Sequence, residues 1–443
     1  MEILLFFLLL LMLVFTILVV KTLIHPLVIL KSICTFSAFI LIFYSKIWQV
    51  SISLDTVIIF ILGLLFVDYG YLFMFYIFNK KRKIPAISPM QSNEMKEKEY
   101  STKIALLFFL YILGLIIVVI SKGQLNINNG IDDLSESIMT LKVDRRDGNV
   151  EGLGVWQYPI TFATAVGLTY TLVSLKEWFN KGISKNLIIF LLPVISTLLL
   201  TYLMGRRSFL LIVIIVSLIL SYEFIVKKNN GITLKQQVRY LFASVTLLTL
   251  FYFFFVSVGA LFNKNLHGGA FNVFAIYLSG GIVAFDYVYK DYILTSELFG
   301  QNLFRIVYVV LNLLPGANFN TDTITQTIYL SKEFATNVYT VNLHYMADFG
   351  LIGVIIGNVM IGIILGFVYN KSKREREIGF WHILSAFFMF KLLSYTGAEK
   401  YFVSMTINIQ QVFIFLLLLK TPLLYKKANL NKSNKNKSNE PIY

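Results

Sequence analysis

Two consecutive arginines stand between two apolar runs, in the turn Gly205-Arg206-Arg207-Ser208. A guanidinium fork binds phosphate oxygens through two parallel hydrogen bonds, and the start of the following helix would add amide donors and dipole. An anion site therefore competes with a plainer reading, in which both arginines snorkel to lipid headgroups. Arg305 poses the same choice. It lies in GQNLFRIVYVVLNLLPG, which is dense enough in apolar residues for a helix lying in, or dipping into, a membrane interface. His344 and Asp348 are four apart and share a helix face. Either His344 donates to Asp348 as a structural pair, or Asp348 orients an acceptor hydroxyl or takes its proton. Arg145 and Arg146 are flanked by Asp144 and Asp147. That pattern suits local ion pairs on a solvated loop. Gly148, Gly152 and Gly154, followed by Trp156 and Tyr158, suit a flexible loop with aromatic platforms, and the rings suit a membrane belt equally well.

Other chemistry is missing. The chain has no Walker A loop, no GxGxxG before a strand, no HExxH and no GxSxG. Nucleotide-driven transport is therefore unsupported. No cluster of His and carboxylates has zinc-like spacing. The one cysteine, Cys34, sits in an apolar run, which excludes an internal disulfide and a metal site built of several thiolates. Neither a metal nor another cofactor is expected.

The elements that must position these groups are membrane spans. Of the 443 residues 57% are hydrophobic and 14% charged, against about 25% charged in a soluble domain. Apolar runs long enough for a bilayer core recur near 3–20, 27–44, 55–78, 104–120, 158–175, 187–204, 209–226, 240–258, 347–369, 378–396 and 403–420. The sequence predicts an all-α polytopic membrane protein with about eleven transmembrane helices. The first run lacks a basic flank and a small-x-small cleavage site, so it reads as a span and not as a cleaved signal. Lys80 to Lys83 and Lys96, Lys98 and Lys103 make the loop at about 79–103 cytoplasmic. Counting from it places the N-terminus outside and the C-terminus inside. The loops holding Lys176, Lys181 and Lys185, then Lys227, Lys228, Lys235 and Arg239, then Lys371, Lys373, Arg374 and Arg376, all fall on the cytoplasmic side. The net charge of +15 follows from these loops, and no nucleic-acid partner is expected. Residues 1–425 read as one membrane domain, and the Asn/Lys/Ser-rich stretch 426–443 as a disordered basic tail.

The outer face receives loops at about 121–157 and 259–346, the arginine turn, and the turn Gly397-Ala398-Glu399-Lys400. The longest of these is neither a polar linker nor an evident span. It mixes Tyr, Phe, Asn, Gly and Thr with few charges, the composition of a folded, partly membrane-hugging segment. No inverted-topology repeat is visible.

Three places carry a resemblance. They are the arginine turn opening an apolar span; Asn337-Val338-Tyr339-Thr340 followed by Tyr345, Asp348, Phe349 and Gly350; and Leu351-Ile352-Gly353 running into a helix with Gly357, Gly362 and Gly366. With the general plan of spans and one dominant outer loop, they resemble the bacterial oligosaccharide repeat-unit polymerases, the Wzy-type polymerases of O-antigen and capsule synthesis. The resemblance implies a fold related to the class C membrane glycosyltransferases. It implies transfer of a growing glycan from undecaprenyl pyrophosphate to a sugar hydroxyl of another lipid-linked unit, on the outer face of the bacterial cytoplasmic membrane. Neither a nucleotide sugar nor a metal is implied; a chain-length regulator is a possible partner. Under this reading Arg206, Arg207 and Arg305 hold the pyrophosphate, and Asp348 and His344 stand at the transfer site. Asn337, Tyr339, Thr340, Tyr345, Arg145 and Arg146 then meet the glycan. The related ligases carry a histidine–asparagine pair ahead of the corresponding acidic-x-Gly turn. Tyr339 and Thr340 stand about there, which favours a polymerase. A lipid-linked oligosaccharide flippase or other transporter is the competing class; among the spans only Lys31, Asp68 and Lys391 offer it charge near mid-membrane.

Overall fold

The structure, a computed structural model, describes residues 1–80, 99–122, 156–204, 208–229, 231–261, 269–291, 296–321, 328–329, 335–375, 377–397 and 401–425. Its helices are α1 Glu2–Val20, α2 Pro26–Trp48, α3 Leu54–Lys80, α4 Thr102–Lys122, α5 Gln157–Lys181, α6 Lys185–Leu203, α7 Ser208–Lys228 and α8 Leu234–Leu261. There follow α9 Gly269–Ala275, a π-helical turn Ile276–Gly280, α10 Gly281–Asp291, α11 Arg305–Leu311, α12 Val341–Arg374, α13 Phe380–Leu392 and α14 Met405–Lys420. The strands β1 Ile328–Tyr329 and β2 Ala335–Thr336 form a small antiparallel pair. Nine helices among the described residues are long and apolar enough to cross a membrane, so the chain is an all-α, multi-pass membrane protein. Each of the eleven expected runs meets a helix, although α13 and α14 are shorter than a full span.

One of the nine, Phe271–Lys290, lies inside the segment expected to stay on the outer face. By length and composition it counts as a span. Its polar anchors describe a different course. Trp48 donates its indole N–H to Asn272 at 2.7 Å, and the hydroxyls of Ser53 and Thr56 donate to Asp286. Both ends are thus tied to the connection between α2 and α3. Between them, in the π-helical turn, Ser279 donates to the Ser37 carbonyl at 2.7 Å, well back along α2. A π-turn widens a helix and frees backbone geometry, and such turns gather at functional sites.

The larger departure from a simple bundle is in α12. Phe349 (φ −144°, ψ 23°) and Gly350 (φ 59°, ψ −143°) leave the helical region. Gly350 adopts a conformation that a side chain would strain. The chain reverses there. The carbonyl of Tyr345 comes so close to Gly353 that a Cβ would collide with it, and the Tyr345 ring covers Gly357. Asn358 donates to Asn342 at 2.9 Å. Residues 341–348 therefore form a short helix folded back, antiparallel, on the long helix that starts at Leu351. The next glycines of the same helix serve another neighbour. Gly362 and Gly366 face α3, where a Cβ on Gly362 would collide with the Val67 carbonyl. Small residues let membrane helices approach backbone to backbone, which adds dispersion where the hydrophobic effect is absent.

The chain divides into two compact units. The first holds α1–α3 and the stretch Ser208–Gln410, and with it every described residue of the expected site. The second holds α4–α6 and the residues from Gln411 onward. In the second unit α5 is rich in buried Thr and Ser, and Thr161, Thr169 and Thr171 donate back to carbonyls four residues earlier. That satisfies their hydroxyls within the helix. Thr197 packs on Gly167, joining α6 to α5.

Candidate functional site

Asp348 is the last residue of the fold-back helix, and its carboxylate is filled by one loop. Ser296 donates its hydroxyl at 2.6 Å, Asn302 its side-chain amide at 2.8 Å, and the main-chain N–H groups of Asn302 and Leu303 donate at 3.0 and 2.7 Å. The N–H of Ser296 donates to the Ala347 carbonyl at 2.9 Å. The loop 296–303 is thereby fastened to the reversal of α12. Three rings, Phe299, Phe304 and Phe349, pack against one another over the clasp, with centroids 4.7–6.4 Å apart.

His344 stands one helical turn before Asp348. It is buried, and its Nδ1 finds no partner. The expected structural pair does not form, because the loop donors fill the carboxylate that His344 would have used. Arg305 opens α11, in the segment that Asp348 fastens. Its half-buried guanidinium donates to the Thr321 carbonyl at 2.9 Å and to the Val403 carbonyl at 2.6 Å, tying two stretches of main chain together. Arg206, Arg207, Arg145 and Arg146 lie outside the described residues.

The remaining expected contacts split. Asn337 is exposed. Tyr339 is buried, and burial pushes its phenol above the usual value. Thr340 is fully buried, caps the fold-back helix without a side-chain bond to it, and leaves its hydroxyl unpartnered. Tyr345 belongs to the core. Its ring lies between Gly357 and Phe402, so it offers no face to a sugar in this arrangement.

Three interruptions of regular structure come together, with Gly281 against Thr396 and Thr340 and Gly397 against Tyr277 and Val338. They are the π-turn at 276–280, the extended stretch 337–340 and the turn 393–397. The Tyr395 carbonyl accepts from Val341 N–H, and the Tyr395 hydroxyl donates to Asn358 at 2.8 Å. Asn358 in turn donates to Asn342, and Ser37 and Thr396 share a bond of 3.3 Å. Irregular backbone at membrane depth persists only where protein or enclosed water satisfies it. The side-chain amide nitrogen of Asn342 joins the Thr340 hydroxyl and His344 Nδ1 as a buried polar atom without a partner. All three side chains belong to 340–344, and an unmatched buried donor or acceptor marks a place for water or ligand. Asn342, Asn358 and Tyr395 were not expected from the sequence. Asn358 was the visible signal: it is the one amide in the apolar run 351–369.

The three mid-membrane charges are all engaged. Lys31 donates to Asp68 at 2.5 Å and to Thr16 at 2.6 Å, while the second oxygen of Asp68 is buried without a partner. Lys391 donates to Asn408 at 2.6 Å. Among the described residues no group of three or more His, Cys, Asp or Glu is placed to hold a metal ion. No family model, curated protein or solved structure matches the chain.

Proposed function

We propose that the protein polymerises lipid-linked oligosaccharide units on the outer face of a bacterial cytoplasmic membrane, with its N-terminus outside and its C-terminus inside. The observation that supports this reading is the clasp at Asp348-Phe349-Gly350. The turn at which the resemblance is densest organises the long inter-span segment, and it does so beside buried polar groups that lack partners. In the reaction the acceptor hydroxyl attacks the anomeric carbon of the donor glycan. The bond from that carbon to the pyrophosphate oxygen breaks, and polyprenyl pyrophosphate departs with the electron pair. The hydroxyl proton passes to His344 Nδ1 or to water. Asp348 acts by holding the 296–303 loop against the site, so its role is positioning more than proton transfer. The arginine turn, Arg206 and Arg207, stabilises the departing pyrophosphate; loss of one preorganised donor of this kind costs about 3–4 kcal/mol of barrier.

Purified protein in vesicles, supplied with radiolabelled lipid-linked repeat units, tests the proposal by polymer length on a gel. Chain lengthening that falls away in Arg206→Lys or Arg207→Lys, with charge kept and fork geometry lost, supports it. A transporter is the second reading, favoured by the intramembrane pair of Lys31 and Asp68. Translocation of labelled units without lengthening would replace the first reading by the second. Transfer only to a different acceptor would make the protein a ligase.

A further inference from the structure

The segment that Asp348 fastens carries an unpartnered apolar stripe. Phe299 is 76% exposed, Val310 56% and Leu313 79%, with Val307 and Leu314 exposed beside them. Across residues 299–314 the only charged side chain is Arg305, and its guanidinium is turned to the carbonyls of Thr321 and Val403. The Asn312 side-chain amide clamps the Phe319 main chain, its oxygen accepting from the Phe319 N–H at 2.7 Å and its nitrogen donating to the Phe319 carbonyl at 2.9 Å, so the segment closes on itself instead of trailing as a linker. Water is a poor neighbour for such a surface. The stripe is continuous with a face whose neighbour is lipid. Phe299 and Phe304 pack on Phe349, and the membrane helix that follows opens with exposed Leu351, Ile352 and Ile356.

We propose that residues 299–314 are an in-plane membrane foot, which buries Phe299, Val307, Val310, Leu313 and Leu314 among lipid acyl chains at the membrane surface nearest Asp348. The occupant is the bilayer. A protein partner or second copy would need to reach a stripe that already runs into a lipid-facing helix. The inference does not depend on the polymerase reading.

Spin labels on single cysteines test it, with buried Cys34 replaced by Ala and the protein in phospholipid nanodiscs. Val310→Cys and Leu313→Cys report on the foot, and Val307→Cys repeats the measurement if either fails to accumulate. Leu11→Cys, on the exposed face of α1, gives the lipid reference, and Ile183→Cys, in the loop between α5 and α6, the aqueous one. The expected result is a ratio of oxygen to nickel-chelate accessibility at the foot well above that of Ile183→Cys and below that of mid-span Leu11→Cys, as for acyl chains just beneath the headgroups, and a ratio matching Leu11→Cys would overturn the in-plane placement. A ratio matching Ile183→Cys overturns the proposal. So does shielding from both reagents, whether or not dilution with unlabelled protein relieves dipolar broadening; relief would identify a second copy as the occupant.

Discussion

Asp348 and Asp68 are carboxylates of the same unit, and their surroundings treat them in opposite ways. Asp348 receives donors on both oxygens from one loop, all of them uncharged. Asp68 has one strong partner, the ammonium of Lys31, and leaves its other oxygen buried and unmatched. The first arrangement orders a loop. The second holds α2 to α3 through a charge pair whose desolvation is offset only in part. A carboxylate saturated by amides and hydroxyls is architecture, and one with an unmatched oxygen is where a proton, a water or a cation has somewhere to go.

The contrast breaks first at Asp68. Asp68→Asn strands the Lys31 ammonium, which is 3% exposed, and should destabilise the protein by about 3–5 kcal/mol. Thermal unfolding in detergent measures it, and the double variant with Lys31→Met should recover most of the loss. If Asp68→Asn costs less than the corresponding change at Asp348, the two carboxylates do not differ as described. Next comes Asn358→Leu. It leaves the Tyr395 hydroxyl and the Asn342 carbonyl oxygen without partners, at a cost of about 2 kcal/mol. Asp348→Asn should act locally. Hydrogen exchange at 296–303 should quicken by one to two orders of magnitude, matching about 1–3 kcal/mol, while α12 beyond Leu351 stays protected. Equal deprotection of both would show that the clasp supports the whole helix. The smallest effect on stability is expected at His344. His344→Phe removes a ring nitrogen that has no partner, so the unfolding midpoint should hold within about 0.5 kcal/mol or rise. Polymer length should nevertheless collapse if Nδ1 receives the proton.

Much of this was legible in the sequence, but unevenly. Hydropathy located the helices, because a bilayer core demands a local run of apolar residues wherever the chain crosses it. Asp348 and His344 stood out as ionisable groups at the mouth of a span. Their relationship did not, since the donors to Asp348 come from Ser296, Asn302 and Leu303, about fifty residues away in the chain. Phe271–Lys290 was hidden by its own Gly, Ser, Tyr and Asp residues, whose partners lie on α2 and α3. The reversal in α12 was hidden for a different reason. The turn lies at Phe349 and Gly350, just inside the start of the apolar run at 347–369, and of the two only Gly350 takes a positive φ.

That reversal has a consequence for how the protein is made. The helix 341–348 is about 12 Å long, far short of the roughly 30 Å that an insertion machinery reads as a span. It cannot enter the bilayer on its own account. Its Asn342 needs a seat, and that seat is built by Gly63 of α3 and Asn358 of the helix that follows the turn. A segment this short holds its place by docking on α3 and on the helix after the turn, and Asp348 ties the 296–303 loop to that same docked unit.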